Sequence, residues 1–149
     1  MLAITRGRSL RVVCPPTEKL AVARRSYAAF SAGPDIDALL PLYDRECEWD
    51  MGPMGAAFRT FRGHDGLRAW VSAIAEGFEG FQANIDEARV THDGVLLLRS
   101  HARARGRGAD VEVSLPVFWQ QLEFREGRIE RVAQFEEPPP GWGTATPVS

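Results

Sequence analysis

The chain has 149 residues, a length that fits a single domain and lets a full hydrophobic core form without disulfides. Its net charge of −2 excludes the strong positive field that general binding to nucleic acid or to an anionic membrane needs. Cys14 and Cys47 have neither metal-binding nor redox spacing, so they indicate a reducing compartment, and we expect a cytoplasmic protein. No apolar run approaches the roughly 20 residues that span a bilayer, so no membrane association is expected.

The N-terminal segment is basic and contains no acidic side chain. Arg6, Arg8 and Arg11 interrupt each apolar stretch, so the hydrophobic region of a signal peptide does not form. Residues 1–16 are therefore predicted to be a disordered arm.

Two helices are predicted after the arm. Thr17 is the expected N-cap of the first, and Gly33 followed by Pro34 ends it. Its apolar positions recur at helical spacing, at Leu20, Ala23, Tyr27 and Phe30. The second helix begins at the N-cap Asp35 and has its apolar stripe at Ile36, Leu39, Leu40 and Tyr43. Because proline has no N–H to donate, Pro41 is expected to kink this helix or to mark a final loose turn.

A strand, a loop and a third helix come next. Residues 46–51 alternate between polar and apolar side chains, as a half-buried strand does. A loop rich in Gly, Pro and Met over residues 51–57 leads to a short extended piece over residues 58–62. Gly63 then opens a helix whose apolar face is formed by Leu67, Trp70, Val71, Ile74 and Phe78.

After Gly80 the hydrophobic period changes from 3.6 to 2, which predicts strands over residues 81–91, 94–105, 110–124 and 128–136. Short glycine-containing turns separate these strands, at Asp93-Gly94, Gly106-Arg107-Gly108 and Glu126-Gly127. Four consecutive antiparallel strands after three helices indicate an α+β fold. The tail over residues 138–149 is rich in Pro, Gly and small polar residues and is predicted to be disordered.

The third long strand contains a change of parity. Its apolar residues alternate on one register at Val111, Val113 and Leu115 and on the other at Phe118, Leu122 and Phe124. A β-bulge near Pro116 would produce this change, since proline inside a strand is found at bulges or edges. A bulge bends the sheet, and a bent sheet can enclose a cavity.

The order and spacing of four segments resemble the NTF2-like superfamily, in particular its SnoaL-like and ketosteroid isomerase-like branches. The segments are Ser26-Tyr27-Ala28-Ala29-Phe30-Ser31-Ala32-Gly33, Glu48-Trp49-Asp50, Phe61-Arg62-Gly63-His64-Asp65 and Glu126-Gly127-Arg128-Ile129. The resemblance covers residues 17–137, which we expect to form one domain. It implies a cone in which three N-terminal helices pack on a strongly curved, antiparallel or mixed β-sheet that encloses a pocket. It also implies a homodimer through the outer sheet face, where Trp119 and Gln121 are expected.

The resemblance does not fix an activity, because the superfamily holds isomerases, cyclases, hydrolases, dehydratases and non-catalytic proteins. In its ketosteroid isomerase-like branch, a carboxylate base lies on the first strand and a tyrosine on the first helix helps to hold the oxyanion. By resemblance Asp50 is the candidate base, Tyr27 the candidate tyrosine, and Gln120 falls where a second acid would be. An amide is a weaker donor than a neutral carboxylic acid, which argues against strict steroid isomerisation.

Strand parity gives a competing interpretation of Asp50. Cys47, Trp49 and Met51 are expected to face the core, so Asp50 would share the solvent face with Glu46 and Glu48 unless the strand twists at its end. For Tyr27 the alternative is a packing role on the buried helix face. For Gln120 it is a structural hydrogen bond, because a buried amide needs a partner.

The pocket is predicted to have mostly apolar walls, formed by Trp49, Met51, Phe61, Trp70, Phe118 and Phe135. Gln120 and His64 are its other candidate ligand-binding residues, although His64 also fits a helix-capping role. His92 and His101 are expected in solvent, and neither a metal-ligand cluster nor a nucleotide-binding motif is present in the sequence, so no cofactor is expected. The arginines Arg99, Arg103 and Arg105 are interpreted as partners in cross-strand ion pairs and not as a nucleic-acid site.

Two hypotheses for function remain at this level. The first is an acid–base enzyme, an isomerase, cyclase or hydrolase, acting on an apolar organic substrate. The second is a non-catalytic ligand-binding or dimeric accessory module. An enzyme of the first kind needs a titratable group inside the cavity, within hydrogen-bond reach of its substrate.

Overall fold

The computed structural model describes residues 14–31, 33–54, 60–108 and 111–149. The predicted arm lies outside the described residues as far as residue 13, and so do residues 58 and 59 of the predicted extended piece. Three α-helices are present in this part of the chain: α1 (Pro16–Ser31), α2 (Ile36–Leu39) and α3 (Gly63–Gly77). Its seven strands are β1 (Tyr43–Asp50), β2 (Thr60–Arg62), β3 (Phe78–Val90), β4 (Leu96–Gly106), β5 (Glu112–Arg125), β6 (Arg128–Phe135) and β7 (Thr146–Val148).

The predicted N-cap of α1 is wrong. The helix begins at Pro16, and the carbonyl of Pro15 accepts its first hydrogen bonds, from the backbone of Glu18 and Lys19 at 3.0 Å each. Proline suits the first helical position because its missing N–H would have no partner there and its φ is already helical. Thr17 therefore lies inside the first turn.

The second helix is shorter than its apolar stripe predicts. Asp35 caps it as expected, with a side-chain oxygen that accepts from the backbone N–H of Ala38 at 3.2 Å. The helix ends at Leu39 and continues as a 3-10 turn over Leu40–Leu42, because Pro41 cannot donate a helical hydrogen bond. Tyr43, predicted on the helix, is the first residue of β1 instead.

One mixed sheet contains all seven strands, in the order β2-β1-β6-β5-β4-β3-β7. The segment from β3 to β6 is an antiparallel meander, as the glycine-containing turns predict. β1 pairs in parallel with β6 and antiparallel with β2. The predicted α+β architecture, with three helices on one curved mixed sheet, is confirmed.

The predicted bulge is confirmed by the register of β4 and β5. Ser100 pairs with Phe118 and Ala102 pairs with Leu115, so two residues of β5 lie opposite one residue of β4. The extra residue falls in the stretch that contains Pro116. Because a bulge increases the bend and twist of its strand, β5 curves at this point and the inner face of the sheet becomes concave.

The core lies between the helices and this inner face. α1 contributes Leu20, Ala23 and Phe30, and α3 contributes Leu67, Val71 and Ile74, which are all buried. They pack against inward-facing strand residues, among them Leu96, Leu98, Leu122, Ile129 and Val132. None of the helices in the described part is long and apolar enough to cross a membrane.

The prediction of a disordered tail is wrong for its last residues. A 3-10 turn over Trp142–Thr144 leads into β7, which pairs antiparallel with β3 and places Val148 against the core. The Arg89 guanidinium stacks on the Trp142 ring at 4.1 Å from its centroid and donates to the Trp142 carbonyl at 2.7 Å. A tryptophan that supplies a cation–π contact offsets the low structural propensity of its Pro- and Gly-rich surroundings.

We predict that ending the chain at Ala145, which removes β7, lowers the free energy of unfolding by about 1–3 kcal/mol. The loss comes from the backbone hydrogen bonds to β3 and from the burial of Val148. Urea unfolding followed by far-UV circular dichroism measures it. The matched control ends at Val148 and lacks only the exposed Ser149, so its midpoint should be unchanged. Equal midpoints for both truncations would show that β7 adds no stability.

Candidate functional site

An open cavity of about 320 Å³ lies between the concave inner face of the sheet and the helices. This volume is at the lower end of the range of small-molecule sites, roughly 300–1,000 Å³. The described residues of its wall come from the helices, from the sheet and from the segment after β1. They are Ala23, Ser26, Tyr27, Phe30, Tyr43, Trp49, Met51, Met54, Trp70, Ile74, Phe78, Phe81, Ala83, Ala102, Arg103, Ala104, Val113, Phe118, Gln120, Leu122, Val132 and Gln134.

An aromatic cluster forms one side of the cavity. The Trp49 ring is at its centre, edge-on to Phe30 at 5.7 Å between centroids, stacked with Tyr43 at 6.0 Å and tilted against Trp70 at 6.2 Å. Offset and edge-to-face contacts of this kind hold aromatic rings in fixed positions. The wall is therefore rigid on the side of β1 and α3.

Polar groups form a continuous chain on the opposite side of the cavity. The Tyr27 hydroxyl lies 2.8 Å from the Ser100 hydroxyl and donates to the Gln120 side-chain oxygen at 2.8 Å. The Gln120 amide nitrogen donates in turn to the Gln134 side-chain oxygen at 2.9 Å. Ser100, Gln120 and Gln134 are all buried, and each finds the partner that a buried polar group needs.

This chain follows from the strand register. Ser100 is on β4, Gln120 on β5 and Gln134 on β6, and Gln120 and Gln134 are directly paired. Residues paired across an antiparallel ladder project to the same face, so both amides reach the inner face of the sheet. Tyr27 reaches them from α1, one turn before Phe30.

A second polar pair lies near the first. The hydroxyls of Ser26 and Tyr43 are 2.8 Å apart and both are buried. Ser26 is next to Tyr27 on α1, so two consecutive residues of this helix supply hydroxyls, one to the pair with Tyr43 and one to the polar chain.

Burial controls the ionisation of the two phenols. Desolvation raises the pKa of Tyr27 well above its ordinary value, and the hydrogen bond with Ser100 offsets only part of this rise. Desolvation likewise raises the pKa of Tyr43, with a partial offset from Ser26. Both phenols stay protonated at neutral pH and act as hydrogen-bonding groups, since the phenolate is disfavoured in this environment.

The cavity wall holds almost no charge. Arg103 is the one ionised side chain among the described lining residues, and it is exposed. In this part of the wall there is no Asp, Glu, His, Cys or Lys. Among the described residues there is also no group of three or more His, Cys, Asp or Glu side chains arranged to hold a metal ion.

The prediction of Asp50 as a base inside the cavity is wrong. One carboxylate oxygen accepts from the Gly52 backbone at 2.8 Å, and the other accepts from the Arg131 guanidinium at 2.9 Å. Arg131 also approaches Glu48 and Glu123, at 3.8 and 3.5 Å, so Asp50 belongs to an ion-pair cluster outside the cavity. From Cys47 to Asp50, buried and partly exposed side chains alternate to the end of β1, so parity overrides the resemblance at Asp50.

The other predicted site residues divide into two groups. Tyr27 and Gln120 line the cavity as expected, and so do Trp49, Met51, Trp70 and Phe118. Phe61 does not: it packs against Trp70 at 5.1 Å on the far side of that ring. Phe135 pairs with Trp119 across β5 and β6 and so lies on the outer face.

His64 is also outside the cavity wall. A ring nitrogen of this side chain lies 3.0 Å from the backbone carbonyl of Tyr43 and ties the start of α3 to the start of β1. His64 therefore has a structural role in the first turn of α3.

Three polar cavity residues, Ser26, Tyr43 and Gln134, were not predicted from the sequence. Gln134 had a detectable signal, because a polar side chain two positions after the core residue Val132 has the same parity. Ser26 lies between two members of the predicted helix stripe. Tyr43 was hidden by its assignment to the second helix.

The ion pairing predicted for the arginines of β4 is found at Arg99, whereas Arg103 donates to the neutral side-chain oxygen of Gln82 on β3, at 3.3 and 3.4 Å. Arg99 approaches Glu87 on β3 at 3.9 Å, and Arg107 in the following turn approaches Glu79 at 3.7 Å. His101 lies between these arginines and contacts Asp86 at 2.9 Å. The solvent location predicted for His101 is therefore confirmed.

We predict that the native protein shows no phenolate absorbance near pH 10, where exposed tyrosines are half ionised. Both tyrosines of the chain have raised pKa values, so the unfolded state loses these protons first. The free energy of unfolding should be unaffected by these groups below about pH 10 and fall as the pH rises above it. Ultraviolet titration of native and urea-unfolded protein measures both effects. Phenolate appearing in the folded protein near pH 10 would contradict the buried placement.

Comparisons with known proteins agree with this architecture. Bal32a, from a soil-derived mobile gene cassette, is 20% identical, and the match covers 80% of this chain and 90% of Bal32a with a TM-score of 0.68. An NTF2-like protein of Burkholderia pseudomallei K96243 is 16% identical, with coverage of 80% and 91% and a TM-score of 0.67. These likenesses establish an NTF2-like fold and no more.

A third similar structure contains a ligand. It is a protein from Catenulispora acidiphila DSM 44928 with a ketosteroid isomerase-like fold, solved in complex with trimethylamine. It is 18% identical, with coverage of 76% of this chain and 83% of that one and a TM-score of 0.65. A search of curated proteins found no significant match. The family model for the SnoaL-like domain matches residues 23–132, and the chain therefore belongs to the SnoaL-like domain family.

Proposed function

We propose that this protein binds a small, largely apolar organic molecule in its central cavity and acts as a binding module without acid–base turnover. The observation that supports this most is the composition of the wall: aromatic and aliphatic side chains with a few neutral hydrogen-bonding groups. Such a wall gains free energy by removing apolar surface from water, about 25 cal/mol per Å². Its few polar groups then fix the orientation of the ligand.

An acid–base enzyme is the weaker of the two hypotheses. General base catalysis needs a proton acceptor within about 3 Å of the reacting group. The candidate base Asp50 lies outside the cavity, where Arg131 and the Gly52 backbone hydrogen-bond to it. The described wall of the cavity contains no carboxylate or imidazole. The phenols cannot substitute for it, because burial keeps them protonated.

We predict that filling the cavity abolishes binding while the fold is kept. Ala102 lines the cavity and is buried, so Ala102→Leu places a larger side chain in the space a ligand would use. With 2-isopropenylnaphthalene as the probe and tryptophan fluorescence as the readout, we expect at least tenfold weaker binding. Thermal denaturation verifies that the variant is folded.

Two variants serve as controls for this experiment. Ala28→Leu makes the same change on the exposed side of α1 and should leave the affinity for the probe within about twofold. Asp50→Asn should do the same, because Asp50 lies outside the cavity. Undiminished binding in Ala102→Leu, or no binding of the probe to the wild type, would overturn the proposed function.

We also propose that the protein is a cytoplasmic homodimer that associates through the outer face of its sheet. Trp119 supports this, because it is a large, half-buried apolar side chain on that face, opposite Phe135 on β6. We predict that the wild type is a dimer by light scattering at micromolar concentration and that Trp119→Arg shifts it to a monomer. A monomeric wild type would contradict the proposal.

A further inference from the structure

We infer that Gln134 determines which ligands the cavity accepts, by donating a hydrogen bond from its side-chain amide to a neutral oxygen acceptor on an apolar molecule. This inference rests on the proposed function, since it names the ligand class of the same cavity. It follows from the direction of the hydrogen bonds in the polar chain that joins Ser100, Tyr27, Gln120 and Gln134.

With the Gln120 and Gln134 amides oriented as they are in the structure, each link of this chain has one possible direction. The Gln120 side-chain oxygen carries no hydrogen, so the Tyr27 hydroxyl must be the donor in their 2.8 Å contact. Tyr27 has only that one hydroxyl hydrogen, so Ser100 must donate to the Tyr27 oxygen. At the other end, the Gln120 amide nitrogen donates to the Gln134 oxygen at 2.9 Å. Donation therefore runs from Gln120 to Gln134 and ends there.

The Gln134 amide nitrogen is the free end of the chain. Its oxygen is occupied by Gln120, and its two N–H groups have no hydrogen-bond partner among the described residues. The residue is only 6% exposed, yet this nitrogen is not one of the fully enclosed polar atoms that lack a partner. Gln134 lines the cavity, so we infer that the exposed part of its amide nitrogen faces the cavity.

The other donors near the cavity are less able to serve a ligand. The Tyr27 hydrogen is committed to Gln120, and the Ser26 and Tyr43 hydroxyls occupy each other, with one hydrogen left between them. The Trp49 indole N–H has no partner in the described part of the chain, but it is fully enclosed beneath the cavity wall. The Ser26–Tyr43 pair and Gln120 each have one hydrogen to spare, whereas the Gln134 amide has two N–H groups that a ligand can satisfy without breaking an existing bond.

The absence of a buried cation near Gln134 favours a neutral acceptor over a carboxylate. A charged ligand would lose its hydration in an apolar cavity and gain only neutral hydrogen bonds in return. The exposed Arg103 is the only cation in the described wall. The ligand class that fits is an apolar body with a ketone, ester, lactone or amide oxygen.

The test compares two probes of the same shape. 2-Acetylnaphthalene has a carbonyl oxygen where 2-isopropenylnaphthalene has a CH₂ group, so their difference in affinity isolates the hydrogen bond. The net value of such a bond predicts that the wild type binds the ketone roughly three- to tenfold more tightly. 2-Naphthoate, which carries a charge at the same position, should bind more weakly than the ketone.

Gln134→Met keeps the length of the side chain and removes both N–H groups, so we expect it to bind the two neutral probes equally. Thermal denaturation verifies that this variant is folded, since the Gln120 amide loses its acceptor when Gln134 is replaced. The matched control is Gln121→Met, because Gln121 is next to Gln120 on β5 but faces outward. This control should keep the preference of the wild type for the ketone.

Infrared spectroscopy of the bound ketone gives a second readout that a purely structural role would not change. A hydrogen bond to the carbonyl lowers its stretching frequency relative to the ketone in hexane. We expect this shift in the wild type and in Gln121→Met but not in Gln134→Met.

The outcomes separate this inference from the proposed function. If neither probe binds the wild type, both fail. If both neutral probes bind it equally, only the inference fails. A ketone preference that persists in Gln134→Met overturns the role of Gln134, and tighter binding of 2-naphthoate than of the ketone overturns the neutral ligand class.

Discussion

The bend in β5 is the constraint on which the rest of the molecule depends. One extra residue between Leu115 and Phe118 bends β5, so the inner face of the sheet is concave. Side chains from α1 and α3 fill the two flanks, where the strands and helices are close. The middle stays open, and a cavity of about 320 Å³ results. The cavity is therefore a consequence of backbone geometry and not of missing side-chain volume at one position.

In an apolar interior of this kind, a buried polar group without a hydrogen-bond partner lowers the stability of the fold. The chain from Ser100 through Tyr27 and Gln120 to Gln134 satisfies this condition with four residues from four different elements. Because its hydrogen bonds join residues of four elements, the chain links α1, β4, β5 and β6 to one another. The chain also leaves the Gln134 amide nitrogen at its end without a partner among the described residues. One hydrogen-bond network therefore stabilises the fold and provides the group that we propose binds the ligand.

Much of the fold was accessible from the sequence because it depends on periodicity and turn chemistry. The shift of parity around Pro116 gave the bulge, and the glycine-containing turns gave the meander. The candidate site was less accessible. Strand parity and family resemblance disagreed at Asp50, and parity was correct, since the alternation of β1 is set by burial of Cys47 and Trp49. The role of Gln134 could not be found from the sequence, because it depends on the direction of hydrogen bonds between residues far apart in the chain.

The tail and Tyr43 show a different limit. Local composition predicts disorder for a segment rich in Pro and Gly, yet the contacts of Trp142 with Arg89 and of Val148 with the core order it. Tyr43 continued the spacing of a helix, but Pro41 ended that helix two residues before it. In both cases long-range contacts or a backbone restriction outweighed the local pattern.

The parallel pairing of β1 with β6 has a consequence for how the molecule reaches its native state. β1 is synthesised before the meander, and its main neighbour in the sheet is β6, the last strand of the meander; the ion pair that joins them links Asp50 and Arg131, 81 positions apart. The helices and β1 emerge from the ribosome before the strands of the meander, against which they pack, have been synthesised. Contacts at such separations slow folding, because a long loop must close before they form. The nascent chain is therefore expected to hold exposed apolar faces until the final hairpin emerges, the interval in which chaperones would bind it.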